Sequence, residues 1–68
     1  MTWIFKFKKH GELQRSYIYA DSAGDAILFF KSEKFKELQS GCIPEDSVEL
    51  WKYATGQPEC CIMRRALV

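Results

Sequence analysis

The sequence lacks any long apolar run, and its 68 residues include only two prolines, four glycines and one histidine. A membrane-spanning helix needs about 20 consecutive, predominantly apolar residues, so we expect no membrane segment. The first residues also lack the charged start, long apolar stretch and small-residue cleavage site of a signal peptide. These absences predict a cytoplasmic protein made of a single domain, residues 1–68.

The sequence has only three cysteines, and neither their number nor their spacing suits disulfide cross-linking or metal binding. The three cysteines are Cys42, Cys60 and Cys61. An odd number cannot pair completely within one chain. Structural zinc sites favour two cysteines separated by two to four residues, which the adjacent Cys60 and Cys61 do not provide. We therefore predict reduced thiols, no metal site and no cofactor.

Recognisable catalytic motifs are also missing. The sequence contains no phosphate-binding glycine loop, zinc-protease helix motif or serine-hydrolase elbow. His10 is the only histidine, and no nucleophile can be placed beside it in the predicted turn. A two-layer domain of this size has little room for an enclosed pocket. We expect no enzymatic activity and no small-molecule substrate.

The sequence does contain segments typical of β-strands, with side chains that alternate between two faces, on either side of one helical segment. Gly11 suits a tight turn between two strands. Ser22 can cap a helix, with Asp25 three residues later, and Gly41 suits its end. The pattern predicts an α+β fold: a single two-layer domain of order ββαββ, with a four-stranded antiparallel sheet of order 2-1-3-4 and one helix on one face. The predicted elements are strand 2–8, strand 13–20, helix 22–39, strand 47–54 and strand 60–67.

Aromatic residues are concentrated on the predicted strands. Since side chains alternate between the two faces of a strand, we expect Trp3, Phe5 and Phe7 to share one face with the tyrosines of the second strand. Ile4, Ile18, Ala20, Val48 and Leu50 would then lie on the other face. A single helix covers only one face, and the pattern does not decide which. Phe29 is expected to be exposed on the helix.

The uncovered aromatic surface predicts association with a protein partner, because Trp and Tyr are enriched at interfaces. Such a protein could be a homodimer, a subunit of a complex, or a small inhibitor or regulator of another macromolecule. The predicted partner-binding residues are Trp3, Phe5, Tyr17, Tyr19, Phe29, Trp51 and Tyr53, or the neighbours of the strand residues on the opposite face if the helix covers the aromatic one.

The distribution of charge leaves an alternative open. Residues 1–20 carry four basic side chains against one acidic, whereas residues 21–50 carry three against seven. Aromatic and basic side chains together on a sheet can bind single-stranded nucleic acid. The net charge of +1 and pI near 7.7 are below the usual basic signature of such proteins. The residues that would carry this function are Lys6, Lys8, Lys9, Arg15, Arg64 and Arg65.

Overall fold

The computed structural model of the protein describes all 68 residues as two layers, a sheet and a helical layer. Neither of its helices has the length and apolar content needed to cross a membrane. The elements, in chain order, are β1 (Thr2–Lys9), β2 (Glu12–Tyr19), α1 (Ala23–Glu33), α2 (Phe35–Gln39), a 3-10 turn (Glu45–Ser47), β3 (Glu49–Tyr53) and β4 (Cys60–Met63).

The four strands form one sheet of order β2-β1-β3-β4, and every neighbouring pair is antiparallel. The predicted fold class and strand order are therefore confirmed. β1 lies at the centre, where it pairs along its whole length with β2 and over five residues with β3. The helical segment crosses one face of the sheet between β2 and β3.

The turn between β1 and β2 determines which side chains share a face. His10 and Gly11 both have positive φ, of 53° and 81°, as a type I′ turn of two residues requires. Lys9 consequently pairs with Glu12, and every odd-numbered residue of β1 lies opposite an even-numbered residue of β2. Residues directly opposite each other point to the same face of the sheet.

The prediction that five aromatic rings share one face is therefore wrong. Trp3 lies opposite Ile18, whereas Tyr17 lies opposite Ile4 and Tyr19 lies opposite Thr2. The rings of β1 and the rings of β2 are on opposite faces. Ile4 is on the tyrosine face, and not on the face of Ile18, Val48 and Leu50 that the strand pattern predicts. Trp51 and Tyr53 also join the tyrosines, because they pair with Ile4 and Thr2.

The rings of β1 lie beneath α1 and form the main core. Phe30 of α1 is completely buried and stacks on Phe5, with ring centroids 4.4 Å apart, while it meets Phe7 edge-on at 5.3 Å. The indole N–H of Trp3 donates a hydrogen bond to the backbone oxygen of Ala20 over 3.0 Å. The other buried members of this core are Ile18, Ala20, Ala26, Ile43, Val48 and Leu50.

The predicted helix over 22–39 is interrupted near its middle. Its start is as expected, since the side chain of Ser22 accepts a hydrogen bond from the N–H of Asp25. Lys34 leaves helical geometry, with φ of −102° and ψ of 17°, and separates α1 from the five-residue α2. Leu38 of α2 is partly buried against the core, on the same side as Ile27 and Phe30 of α1.

The last two strands are shorter than predicted. The 3-10 turn occupies Glu45–Ser47, so β3 begins only at Glu49. β4 ends at Met63, and Arg65 has a positive φ of 54°, which bends the chain away from the strand. The bend directs the N–H of Ala66 to the backbone oxygen of Val48, 2.8 Å away, and the C-terminal residues Ala66 and Leu67 pack against the core.

Candidate protein-association surface

Strand β2 is an open edge of the sheet, and six of its eight residues are exposed. The N–H of Ala20 donates to the oxygen of Met1, so these two residues form a hydrogen-bonded pair that extends the ladder. Hydrogen-bonded and non-hydrogen-bonded pairs alternate along antiparallel strands. The even-numbered residues of β2 therefore bond to β1, and the odd-numbered residues direct their N–H and C=O groups outward.

We call these outward-facing backbone groups the β2 edge; they belong to Leu13, Arg15, Tyr17 and Tyr19. No turn, loop or side chain of the protein bonds to them. Their side chains lie on the sheet face away from α1, which we call the open face. Leu13, Tyr17 and Tyr19 are 78%, 58% and 77% exposed, so an apolar strip runs directly beside unpaired backbone. Exposed strand edges of this kind are templates for pairing with another chain.

The opposite edge of the sheet is protected. β4 has only four residues, and its register with β3 shifts between Leu50 and Trp51. Short strands and bulges are common devices that prevent edge-to-edge pairing. β2 has neither: its eight residues pair with β1 without a shift, and it contains no proline.

The centre of the open face is closed by a small cluster of its own. Ile4 is fully buried although no helix lies over it, with Tyr17 and Trp51 as its cross-strand neighbours. The Lys6 ammonium lies 3.6 Å from the centre of the Trp51 ring and 2.8 Å from a carboxylate oxygen of Glu59. Such a cation over an indole face is favourable. The charged groups therefore shield apolar surface that the helix does not reach.

Glu59, just before β4, connects three strands through this cluster. One oxygen bonds to Lys6, and the other lies 3.5 Å from a guanidinium nitrogen of Arg15 on β2. The hydrogen bond from Lys6, aided by the charges of Lys6 and Arg15, lowers the pKa of the Glu59 carboxyl below its ordinary value. The ionised form holds the β3–β4 connection over the open face.

Trp51 is also held by a second carboxylate, that of Glu49. Its indole N–H donates to Oε1 of Glu49 over 3.2 Å, and the guanidinium of Arg64 donates to Oε2 of the same group over 2.6 Å. The ring is half-buried. With its N–H bonded and one face under Lys6, Trp51 belongs to the structure of the open face more than to its free surface.

The other predicted partner-binding residues separate into three groups. Trp3 and Phe5 are buried beneath α1, so the expectation that they are surface anchors is corrected. Tyr17, Tyr19 and Tyr53 come together on the open face, with Tyr53 40% exposed at the end of β3. Phe29 is exposed as predicted, but it lies on α1, in the layer on the far side of the sheet from the tyrosines.

Sequence reasoning did not include seven exposed apolar side chains among the partner-binding residues: Met1, Leu13, Leu28, Phe35, Ile62, Met63 and Val68. Leu13 alternates with Arg15 and Tyr17 on β2, and the strand pattern would have placed it beside them. Leu28 and Phe35 are exposed on the helical layer, as Phe29 is. Seven residues apart in the sequence, they fall away from the arc of Ile27 and Phe30 on a helical wheel, so the helical period would have placed them outside.

Most of the predicted basic residues are paired with carboxylates. Lys9 bonds to Glu37 of α2, which raises the pKa of the lysine and lowers the pKa of the glutamate. Only Lys8 and Arg65 have no acidic partner, and they line an open groove at one end of the sheet together with Asp46. The paired residues are Lys6 and Arg15 with Glu59, Lys9 with Glu37, and Arg64 with Glu49.

The remaining reactive side chains are scattered. His10 is exposed in the first turn, as expected. Cys42 follows α2 and accepts a hydrogen bond from the Ser40 hydroxyl, while Cys60 and Cys61 are in β4, and no disulfide joins any of them. No three side chains of the metal-binding types histidine, cysteine, aspartate and glutamate come together as a potential site.

Comparison with known proteins gives no relative: no protein-family model, curated protein or solved structure matches this chain.

Proposed function

We propose that this protein is a small, non-enzymatic protein-binding module that associates through the β2 edge and the exposed tyrosines beside it. The observation that carries the proposal is the coincidence of unpaired backbone with exposed Leu13, Tyr17 and Tyr19 on one unprotected strand. Backbone hydrogen bonds supply affinity when a strand is added to a sheet, and alternate side chains supply specificity.

The proposal places the protein in the cytoplasm and includes three biological forms: a homodimer, a subunit of a larger complex, and an inhibitor or regulator of another macromolecule. In each form the same strand makes the contact. The rigid support behind it favours binding, because β1 pairs with all eight residues of β2 and little order remains to be gained on association.

A photo-crosslinking amino acid at Tyr19, in the native host, tests the proposal. We expect a covalent protein adduct from this position, because the side chain is exposed and adjoins the β2 edge. The matched control is the same amino acid at Phe35, which is 59% exposed on α2. An adduct from Phe35 and none from Tyr19 would place the interface on the helical layer and refute the proposed site. No adduct from Tyr19 would also count against it.

Single-stranded nucleic acid is the alternative partner, and the same protein can be tested with it. Binding to phosphates weakens steeply as salt concentration rises. If labelled oligonucleotides bind with such a salt dependence, and Lys8→Ala with Arg65→Ala abolishes binding while Tyr19→Ala does not, the protein-binding proposal is replaced by the nucleic-acid one. We expect no such binding, since most basic residues are neutralised by carboxylates.

A further inference from the structure

We propose that the partner of the β2 edge is a second copy of this chain, whose β2 pairs antiparallel with the first about a two-fold axis at Ser16. This inference rests on the proposed function and identifies the chain that binds the β2 edge. The two four-stranded sheets would join into one continuous sheet of eight strands. Two-fold dimers use the same patch on both subunits, so the patch must be complementary to itself.

The outward-facing backbone groups have this symmetry. They belong to four alternate residues, and Ser16 is at the centre of the set. An axis at Ser16 pairs Leu13 with Tyr19 of the second copy and Arg15 with its Tyr17. The two-fold axis repeats both pairs, so four hydrogen-bonded pairs of two bonds each are formed and every outward group is used.

The side chains on the open face match in the same register. Arg15 of one copy lies beside the exposed ring of Tyr17 in the other, an arrangement that favours a cation–π contact. Leu13 lies beside Tyr19, which covers the two most exposed apolar side chains of the strand with apolar surface. At the axis, on the other face, two small Ser16 side chains meet without crowding.

Other registers use the edge less well. An axis at Arg15 places two guanidinium groups directly opposite each other, which is destabilising. An axis at Tyr17 leaves Leu13 opposite Asp21, outside the strand, and satisfies fewer outward groups. Only the axis at Ser16 pairs all four outward residues within β2. The net charge of +1 per chain adds little repulsion between copies.

Sedimentation equilibrium on the intact protein tests whether the second copy binds. An interface of one strand is small, so we expect dimerisation with a Kd on the order of micromolar. Arg15→Ala should weaken it severalfold by removing the cation–π contacts. Arg15→Pro should weaken it by about a further tenfold or more, because it also removes an outward N–H from each copy.

The difference in Kd between Arg15→Ala and Arg15→Pro measures the contribution of the Arg15 backbone N–H to dimerisation. The N–H of Arg15 points away from β1, so proline there removes no hydrogen bond within the sheet, as edge strands allow. Melting temperatures measured beside the dimerisation establish that both variants are folded. Equal weakening by alanine and proline would refute edge pairing. A protein that remains monomeric to about a hundred times the micromolar range would refute the second copy.

Disulfide trapping tests the register independently of the proline variant. In a background with Cys42, Cys60 and Cys61 replaced by serine, Ser16→Cys should form a linked dimer on mild oxidation, since facing residues at the axis are within disulfide reach. Gln14→Cys is the matched control: it lies on the same strand and face, opposite Ile18 of the second copy, and should not link. Linking by Gln14→Cys and not by Ser16→Cys would overturn the register.

These outcomes separate the two proposals. A monomeric protein that crosslinks from Tyr19 to a different protein keeps the β2 edge as a protein-binding site and refutes only the second copy. A dimer that links through Ser16→Cys supports both.

Discussion

The neighbouring residues Phe29 and Phe30 provide a direct test of how the helix is packed. Phe30 has no exposed surface and contacts two rings of β1, whereas Phe29 is 54% exposed. Replacing a buried phenylalanine with alanine costs about 3–5 kcal/mol, since it removes apolar burial and leaves a cavity. The same change at a surface position away from special features stays within about 0.5 kcal/mol.

The size of the domain makes this difference easy to measure. A stability of about 0.05–0.15 kcal/mol per residue gives roughly 3–10 kcal/mol for a chain of this length. Phe30→Ala should therefore remove at least about a third of the stability and lower Tm by more than about 12 °C, while Phe29→Ala shifts it by at most a few degrees. Thermal and urea unfolding of both variants, at concentrations low enough to keep them monomeric, measures the contrast. Similar losses in the two variants, or a larger loss in Phe29→Ala, would refute the assignment of the buried helix face.

Three further predictions follow from the turn, the charged cluster and the tyrosines. Gly11→Ala should destabilise the protein by about 1–2 kcal/mol in urea unfolding, because φ of 81° is unfavourable for a residue with a Cβ; unchanged stability would contradict the turn geometry. Since the pKa of Glu59 is lowered in the folded state, its contribution is present above its ordinary pKa near 4.5 and is lost as pH falls through the lower folded value. The Tm difference between the wild type and Glu59→Gln should therefore be larger at neutral pH than at about pH 3, and a constant difference would argue against this ion pair. Tyr19→Ala should weaken association and leave stability within about 0.5 kcal/mol, whereas Trp51→Ala should destabilise by about 2 kcal/mol or more; the reverse result would make Trp51 the free anchor and Tyr19 the structural residue.

The local signals in the sequence were sufficient for the strand order and for the start of the helix. Gly11 marked the first turn, Ser22 marked the helix start, and the two hairpins on either side of one helix allowed few topologies. These signals depend on only a few neighbouring residues, so they can be recognised in the sequence without knowledge of the tertiary packing. The break at Lys34 was less visible, because neither proline nor glycine marks it and only the two lysines in the apolar arc, Lys31 and Lys34, indicated that a continuous helix fits poorly.

The error in face assignment came from treating each strand separately. A connection with an even number of residues always places odd positions of one strand opposite even positions of the next, and His10–Gly11 is such a connection. The opposition of Trp3 to Ile18, and of Ile4 to Tyr17, was therefore implied by the turn. The turn does not imply which face of the sheet lies under the helix, because that depends on how Phe30 fits against Phe5 and Phe7.

The two sides of the sheet are closed by different means, and this difference isolates the β2 edge. Beneath α1, large apolar side chains exclude water. On the open face, Lys6, Glu59 and Trp51 cover Ile4 with charged and amphipathic groups that need no helix. This cover ends at Arg15. The apolar side chains of the β2 edge, Leu13, Tyr17 and Tyr19, therefore have neither a helix nor an ion pair over them. A monomer that needed only to be soluble would gain nothing from leaving leucine and two tyrosines beside unpaired backbone, since such edges promote aggregation. The contrast with the short, register-shifted β4 and with the covered centre of the open face supports the proposal that this strip is a binding surface.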